Sequence, residues 1–160
     1  MRRRAILGLG ISCLLAACTT GGGGGYGAVD LGWSLHHAEG EGAKLAYGQP
    51  ASDNVLLMMT CQPRSGQVLV SMTARAGAAP TSIELTSSGR SSRLNGAAAP
   101  AMAEGASLIE AMAPANDPAL QNFARTGDIA VVEGGRPAQM PVRRAERAAV
   151  SDFFAQCRAA

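Results

Sequence analysis

Hydrophobic and polar residues alternate with a period of two at the start of the main body of this 160-residue chain. Residues 31–38 alternate in this way, with Trp33 and Leu35 on one side, and residues 44–47 resume the pattern after a glycine-containing turn. Alternation with this period is typical of a strand with one buried face. The two stretches predict a β-hairpin, with Trp33 in or near the core.

A second hairpin is predicted from residues 55–61 and 68–74, which flank a five-residue loop containing one proline and one glycine. Residues 55–61 are apolar at nearly every position, and Leu56 and Met58 form a second apolar face. Strands of this kind are typical of the centre of a sheet that is covered on both sides. We therefore expect a helix or another sheet to cover the second face.

Shorter elements are predicted farther along the chain. Strands are expected at 82–86, 90–94, 107–112, 128–133 and 138–140, with loops at 76–80 and 95–105. Asp117-Pro118 predicts the start of a short helix, because Asp caps free N–H groups and Pro suits the first helical position. Gly127 suits the left-handed exit from that helix.

The last predicted helix covers residues 142–158, where Val150, Phe153 and Cys157 recur at helical spacing. Phe153 and Phe154 are expected mainly to anchor the core, with Phe154 pointing away from Phe153 towards a loop or a partner. The predicted fold class is α+β with β dominant. We expect an antiparallel β-sandwich or a partly open barrel, with the C-terminal helix packed on it.

The N-terminus has a different pattern. Arg2, Arg3 and Arg4 precede an apolar, uncharged run of 13 residues at 5–17. A membrane-spanning helix needs about 20 apolar residues, so this run suits the apolar region of a secretory signal. The run ends in Leu15-Ala16-Ala17-Cys18, which resembles the lipobox of bacterial lipoprotein precursors.

This resemblance implies cleavage before Cys18, a diacylglyceryl group on its sulfur and, usually, acylation of the new N-terminus. Residues 1–17 would then be a lipoprotein signal peptide, 18–28 a lipidated glycine-rich tether, and 29–160 a single globular β-rich domain. The implied location is the bacterial cell envelope, with the membrane contacted through the N-terminal lipid. Thr19, where Asp would favour inner-membrane retention, favours the outer membrane, facing the periplasm. The alternative is an ordinary signal peptide cut elsewhere, with Cys18 incidental.

Cysteine pairing follows from that compartment. Cys13 would leave with the signal peptide and Cys18 would carry lipid, so that Cys61 and Cys157 remain. Because the envelope is oxidising, we predict a Cys61–Cys157 disulfide. The alternatives are two buried free thiols or one reactive thiol.

Charge argues against a nucleic acid partner. Residues 1–17 hold three of the 14 basic residues and none of the 12 acidic ones, so that the remainder carries a net charge of −1. Nucleic acid binding needs clustered Lys and Arg. Arg143, Arg144 and Arg147 do lie close together, but they are expected to form the solvated face of the last helix.

Candidate chemistry is sparse. His36 and His37 are adjacent, so that in a strand they point to opposite faces and do not chelate one ion together. No serine lies in a Gly-x-Ser-x-Gly motif, although a catalytic triad assembled from distant residues stays open. The sequence therefore assigns no catalytic residue, no metal ligand and no cofactor.

The favoured function is a non-enzymatic binding or interaction module that contacts an envelope protein or a cell-wall component. One alternative is an enzyme whose site is assembled from distant residues. Another is a relative of the lipoproteins that inhibit C-type lysozyme, which the cysteine-containing hairpin at 55–74 resembles. The Ser-Gly…Tyr and Trp-Lys-Gly stretches of that family are absent from this chain.

Overall fold

A computed structural model describes residues 30–74, 81–100 and 107–158. The strands are β1 (Gly32–Ala38), β2 (Gly42–Gly48), β3 (Val55–Cys61), β4 (Gln67–Ala74), β5 (Ser82–Ser87), β6 (Arg90–Pro100), β7 (Ser107–Pro114), β8 (Ala130–Glu133) and β9 (Arg136–Gln139). The helices are α1 (Pro118–Thr126) and α2 (Arg147–Cys157), and a 3₁₀ turn at Arg144–Glu146 leads into α2. The signal peptide, the lipobox with Cys18, the tether at 18–28 and the predicted loop at 76–80 lie outside the described residues.

The nine strands form one antiparallel sheet in the order β1-β2-β3-β4-β7-β6-β5-β8-β9. The sheet curls into a half-barrel. Helix α1 packs against β5 and β6, and α2 packs against β1 and β2. This confirms the predicted β-dominant α+β class with a packed C-terminal helix, in its partly open barrel form. Within the described residues, neither helix is long and apolar enough to span a membrane.

The core lies between the inner face of the sheet and the two helices. Leu57 and Met59 of β3 face inwards and are fully buried, as are Phe123 of α1 and Phe153 of α2. Trp33 is 5% exposed, which confirms its core position, and its indole N–H donates to the Met140 carbonyl at 3.1 Å.

The expected core position of Phe154 is confirmed, but the expectation that it points away from Phe153 is wrong. Phe154 is buried and makes edge-to-face contacts with both Phe153 and Phe123, at ring-centre distances of 5.1 and 5.9 Å. Neighbouring residues on α2 can both reach the core because α1 packs beside α2, so that the two helices enclose Phe154 between them.

Strand β6 extends through residues 95–100, where the sequence predicts a loop. Its first half pairs with β5 and its second half pairs with β7, and the change of partner comes at Gly96. A Cβ atom at Gly96 would lie 2.7 Å from the Glu110 carbonyl oxygen, so the close approach of β7 requires glycine here. Gly96, which by composition suggests a loop, therefore serves close strand packing. The rest of that predicted loop, 101–105, lies outside the described residues.

The second face of β3 is not covered by the described residues, contrary to the prediction. Leu56 is 37% exposed and Met58 is half-buried, while Met112 on the same face of β7 is 56% exposed. Cys61, which bonds to α2, shares its face with Leu57 and Met59. The C-terminal helix therefore covers the inner face, which is the face that the curl of the sheet encloses.

Helix α2 begins at Arg147 and not at Val142. Residues 144–146 form the 3₁₀ turn, and the Glu146 carboxylate accepts the Arg143 backbone N–H at 2.9 Å. Arg143 is therefore not part of a solvated helix face: its guanidinium donates to Asp30 and to the Leu31 carbonyl, which ties this turn to the start of β1.

Candidate functional site

A cleft of about 1250 Å³ opens between α1, the loop from β3 to β4, the connection from β7 to α1, and the C-terminal end of α2. Its cationic lining is Arg90, Arg125 and Arg158. Its amide lining is Gln67, Asn116, Gln121 and Asn122. Five separate parts of the fold, including the start of β6 with Arg90, thus contribute polar side chains to one cavity.

Helix α1 provides the longest wall. Pro118, Gln121, Asn122 and Arg125 line the cleft, and their spacing of three and four residues places them on one helix face. The apolar residues of α1 are buried on the opposite side, in the core. The helix is therefore amphipathic: its apolar side packs in the core, and its polar side faces the cleft.

The start of α1 is fixed by a side-chain cap. The Asp117 carboxylate accepts N–H groups from Ala119 at 3.0 Å and from Leu120 at 3.3 Å, and it also accepts the Ser92 hydroxyl at 2.6 Å. Gly127 ends the helix in the left-handed conformation, with φ at 71°. Both ends were predicted from the sequence. The cap occupies the Asp117 carboxylate, which is buried and does not line the cleft.

Asn122 connects α1 to the sheet. Its side chain is buried, and its amide nitrogen donates to the Ser87 carbonyl at 2.8 Å and the Ser87 hydroxyl at 3.0 Å. Its amide oxygen accepts from the Arg125 guanidinium. One buried amide therefore fixes the helix on β5 and orients an arginine at the cleft.

The wall opposite α1 consists of the loop from β3 to β4 and the end of α2. These two segments are joined at the Cys61–Cys157 pair, which lies at disulfide distance, with 5.7 Å between the Cα atoms. Beside it, the Arg64 and Gly66 N–H groups donate to the Gln156 and Cys157 carbonyls, both at 2.8 Å. The Gly66 carbonyl in turn accepts the Ala115 N–H at 2.8 Å. The loop from β3 to β4, the end of α2 and the entry to α1 are therefore joined in one network.

The three cleft arginines keep most of their donors unused. Within residues 30–74, 81–100 and 107–158, none of them pairs with a carboxylate, and Arg90 has no side-chain hydrogen bond. Arg158 donates one N–H to the Phe154 carbonyl at 3.3 Å, and Arg125 donates to Asn122. Because a guanidinium carries five N–H donors, most remain free for a ligand.

Three cations elsewhere, Lys44, Arg93 and Arg143, are paired with carboxylates. Arg93 bonds to Glu84 at 2.8 Å. Hydrogen bonding and charge attraction from Glu146, with a smaller effect of Asp30, raise the pKa of Arg143. Hydrogen bonding and charge attraction from Lys44 lower the pKa of Glu41. Among the described residues, the cleft arginines have no such carboxylate partner, and neither do Arg64, Arg136, Arg144 and Arg147; what sets the cleft arginines apart is that all three line one cavity.

The histidines do not line this cleft. They point to opposite faces of β1, as predicted, and both are exposed; the His36 ring contacts the Ser34 hydroxyl at 3.0 Å. The described part of the chain contains no group of three or more His, Cys, Asp or Glu placed to hold a metal ion.

Sequence reasoning missed the cleft. In α1, a polar stripe formed by Gln121, Asn122 and Arg125 lies opposite the apolar face. This local pattern could have indicated part of the cleft from the sequence alone. Arg90 and Arg158 carry no such signal, because only the tertiary fold brings the start of β6 and the end of α2 towards α1.

Comparisons with protein-family models, with curated proteins and with solved structures find no match for this chain. The candidate function is therefore inferred from the cleft and from the sequence.

Proposed function

We propose that this protein is a non-enzymatic binding module of the bacterial cell envelope, anchored in the outer membrane by lipid on Cys18 and facing the periplasm. The observation that carries the proposal is the cleft beside α1, with its three arginines and its amide side chains. Its ligand is a cell-wall component or another molecule of the envelope.

The lining favours binding over catalysis. The described cleft residues include no histidine, cysteine or carboxylate side chain. Guanidinium groups stay protonated and amides do not titrate, so neither acts as a general base. Both groups form directional hydrogen bonds, which suits recognition.

The walls are fixed before a ligand arrives. The Asp117 cap, the buried Asn122 and the disulfide-linked loop hold their parts of the cleft in place. A site fixed in this way loses less conformational entropy on binding, which favours affinity.

The proposed tether would keep the cleft near the membrane. A flexible glycine-rich segment of about ten residues spans on average about 18 Å. The lipid chains would hold such a module almost permanently, because each buried CH₂ contributes about 0.8 kcal/mol. Ligands within the periplasmic layer next to the membrane would then be within reach.

Site-specific photo-crosslinking in intact cells tests the binding function. A photo-reactive amino acid at Gln121, exposed in the cleft, is compared with the same residue at Asp152, exposed on α2 outside the cleft lining. We expect a recurrent adduct, detected by mass spectrometry, from position 121 and none from position 152.

Recurrent adducts at both positions would indicate a nonspecific surface, and no adduct at 121 would contradict the proposed binding role of the cleft.

A further inference from the structure

We propose that the ligand of the cleft is an anionic saccharide, a sugar that carries phosphate or carboxylate groups. This inference rests on the proposed binding function and specifies the chemistry of its ligand. It follows from the number of free donors, from the amide side chains beside them and from the size of the cavity.

The anionic part is indicated by the arginines. Arg90, Arg125 and Arg158 come from three separate parts of the fold, and the described lining residues include no carboxylate side chain. Guanidinium groups match the planar or tetrahedral oxygen arrangement of carboxylate and phosphate, which they bind through paired hydrogen bonds. Since the chain beyond residue 17 has a net charge of −1, this positive region is local and not a consequence of overall charge.

The saccharide part is indicated by the amides. Gln67, Asn116 and Gln121 are exposed at the cleft, and their side-chain amides make no hydrogen bond to another described residue. Each amide offers two donors and an acceptor. A ligand rich in hydroxyl groups, which donate and accept in turn, uses this combination better than a simple anion does.

The size of the cleft supports a ligand larger than an isolated anion. Pockets for drug-sized ligands occupy about 300–1000 Å³, and this cleft has about 1250 Å³. A lone phosphate would leave most of the cleft and its amides unused. A saccharide of two or three units would contact both the arginines and the amides.

Binding measurements on the full-length protein in a neutral detergent test this proposal. The probes are trigalacturonate, the disaccharide trehalose 6-phosphate, inorganic phosphate and the neutral trisaccharide maltotriose, measured by isothermal titration calorimetry at low and raised salt. We expect at least one of the two anionic sugars to bind about tenfold more tightly than both maltotriose and inorganic phosphate. The carboxylate and phosphate arms identify which anion the cleft prefers, and added salt should weaken binding.

Single substitutions locate the effect. Arg90→Gln, Arg125→Gln and Arg158→Gln should each weaken binding of the preferred anionic sugar by about tenfold. Arg136→Gln is the matched control, because Arg136 is exposed on β9 and does not line the cleft. This control should keep wild-type affinity. Unchanged melting temperatures would show that the variants fold.

Two results would overturn the inference: neither anionic sugar binds more tightly than maltotriose, or inorganic phosphate binds as tightly as the preferred anionic sugar. If either occurs while crosslinks still form at Gln121, the binding function stands and only its ligand chemistry is wrong. If crosslinks at Gln121 also fail, the binding function itself is contradicted.

Discussion

Asn122 contributes both to the stability of the fold and to the geometry of the candidate site. Its buried amide satisfies both the carbonyl and the hydroxyl of Ser87 and also accepts from Arg125. A buried acceptor that loses its donor keeps the full cost of desolvation, about 1–3 kcal/mol. The same side chain therefore supports the attachment of α1 to the sheet and the orientation of a cleft arginine.

Asn122→Ala should lower the free energy of unfolding by about 1–3 kcal/mol, because the Ser87 carbonyl would remain buried without this donor. Urea denaturation followed by circular dichroism measures the change. Gln121→Ala is the matched control, since Gln121 is the preceding residue of α1 and its side chain is exposed. We expect the control to stay within about 0.5 kcal/mol of wild type. Equal effects of the two substitutions would show that the Asn122 hydrogen bonds add nothing specific to stability.

At the scale of elements, local signals predicted most of the structure. The Asp117 cap and the Gly127 exit depend on contacts within a few residues, so the sequence alone identifies both ends of α1. The hairpins formed by β1 with β2 and by β3 with β4 are similarly local.

Features set by distant contacts were not predictable in the same way. The second half of β6 is a strand because β7 packs closely against Gly96, and its composition alone resembles a loop. The exposure of Leu56 depends on which way the sheet curls, which the apolar pattern of β3 does not specify. The cleft belongs to this second class, because Arg90 and Arg158 meet α1 only in the folded chain.

The covalent link between β3 and α2 makes a testable contribution to stability. Cys61 and Cys157 are separated by 96 positions, and closing a loop of that length restricts the unfolded chain. In the chain-entropy treatment such a link is worth about 4.7 kcal/mol, and removal of native disulfides costs about 2–5 kcal/mol. The Cys61→Ser/Cys157→Ser double variant should lose stability in that range in urea denaturation.

Chemical reduction of the wild-type disulfide is the control for this variant. Wild-type protein in excess dithiothreitol should unfold at the same urea concentration as the double variant, because both lack the link. The double variant should itself be insensitive to dithiothreitol. A variant that matched oxidised wild type within about 0.5 kcal/mol would contradict a stabilising role for the link.

At the scale of the whole molecule, the arginines that make the cleft positive and the cysteine proposed to carry the lipid lie in different parts of the chain. The cleft is built from residues 65–158, whereas the proposed lipid site is Cys18, outside the described residues. Opposing charges nearly cancel over the chain beyond residue 17, so the positive region of the cleft acts at short range, within about 10 Å at ordinary salt. Proximity to the ligand would then depend on the tether more than on electrostatic attraction over long distances.

Lipid attachment at Cys18 is testable by metabolic labelling. In cells fed an alkyne analogue of palmitate, the wild-type protein should carry the label, and Cys18→Ser should carry none, because the thioether to diacylglycerol forms at that sulfur in proteins with a lipobox. Cys13→Ser is the matched control and should keep the label, since Cys13 lies in the segment expected to be removed. Intact-mass measurement should place the mature N-terminus at Cys18, with two or three acyl chains. Label retained by Cys18→Ser, or a mature N-terminus at another residue, would contradict lipid anchoring through Cys18 and favour an ordinary secretory signal. The binding proposal for the cleft would stand in either case, because none of the described residues that line it precedes Ser65.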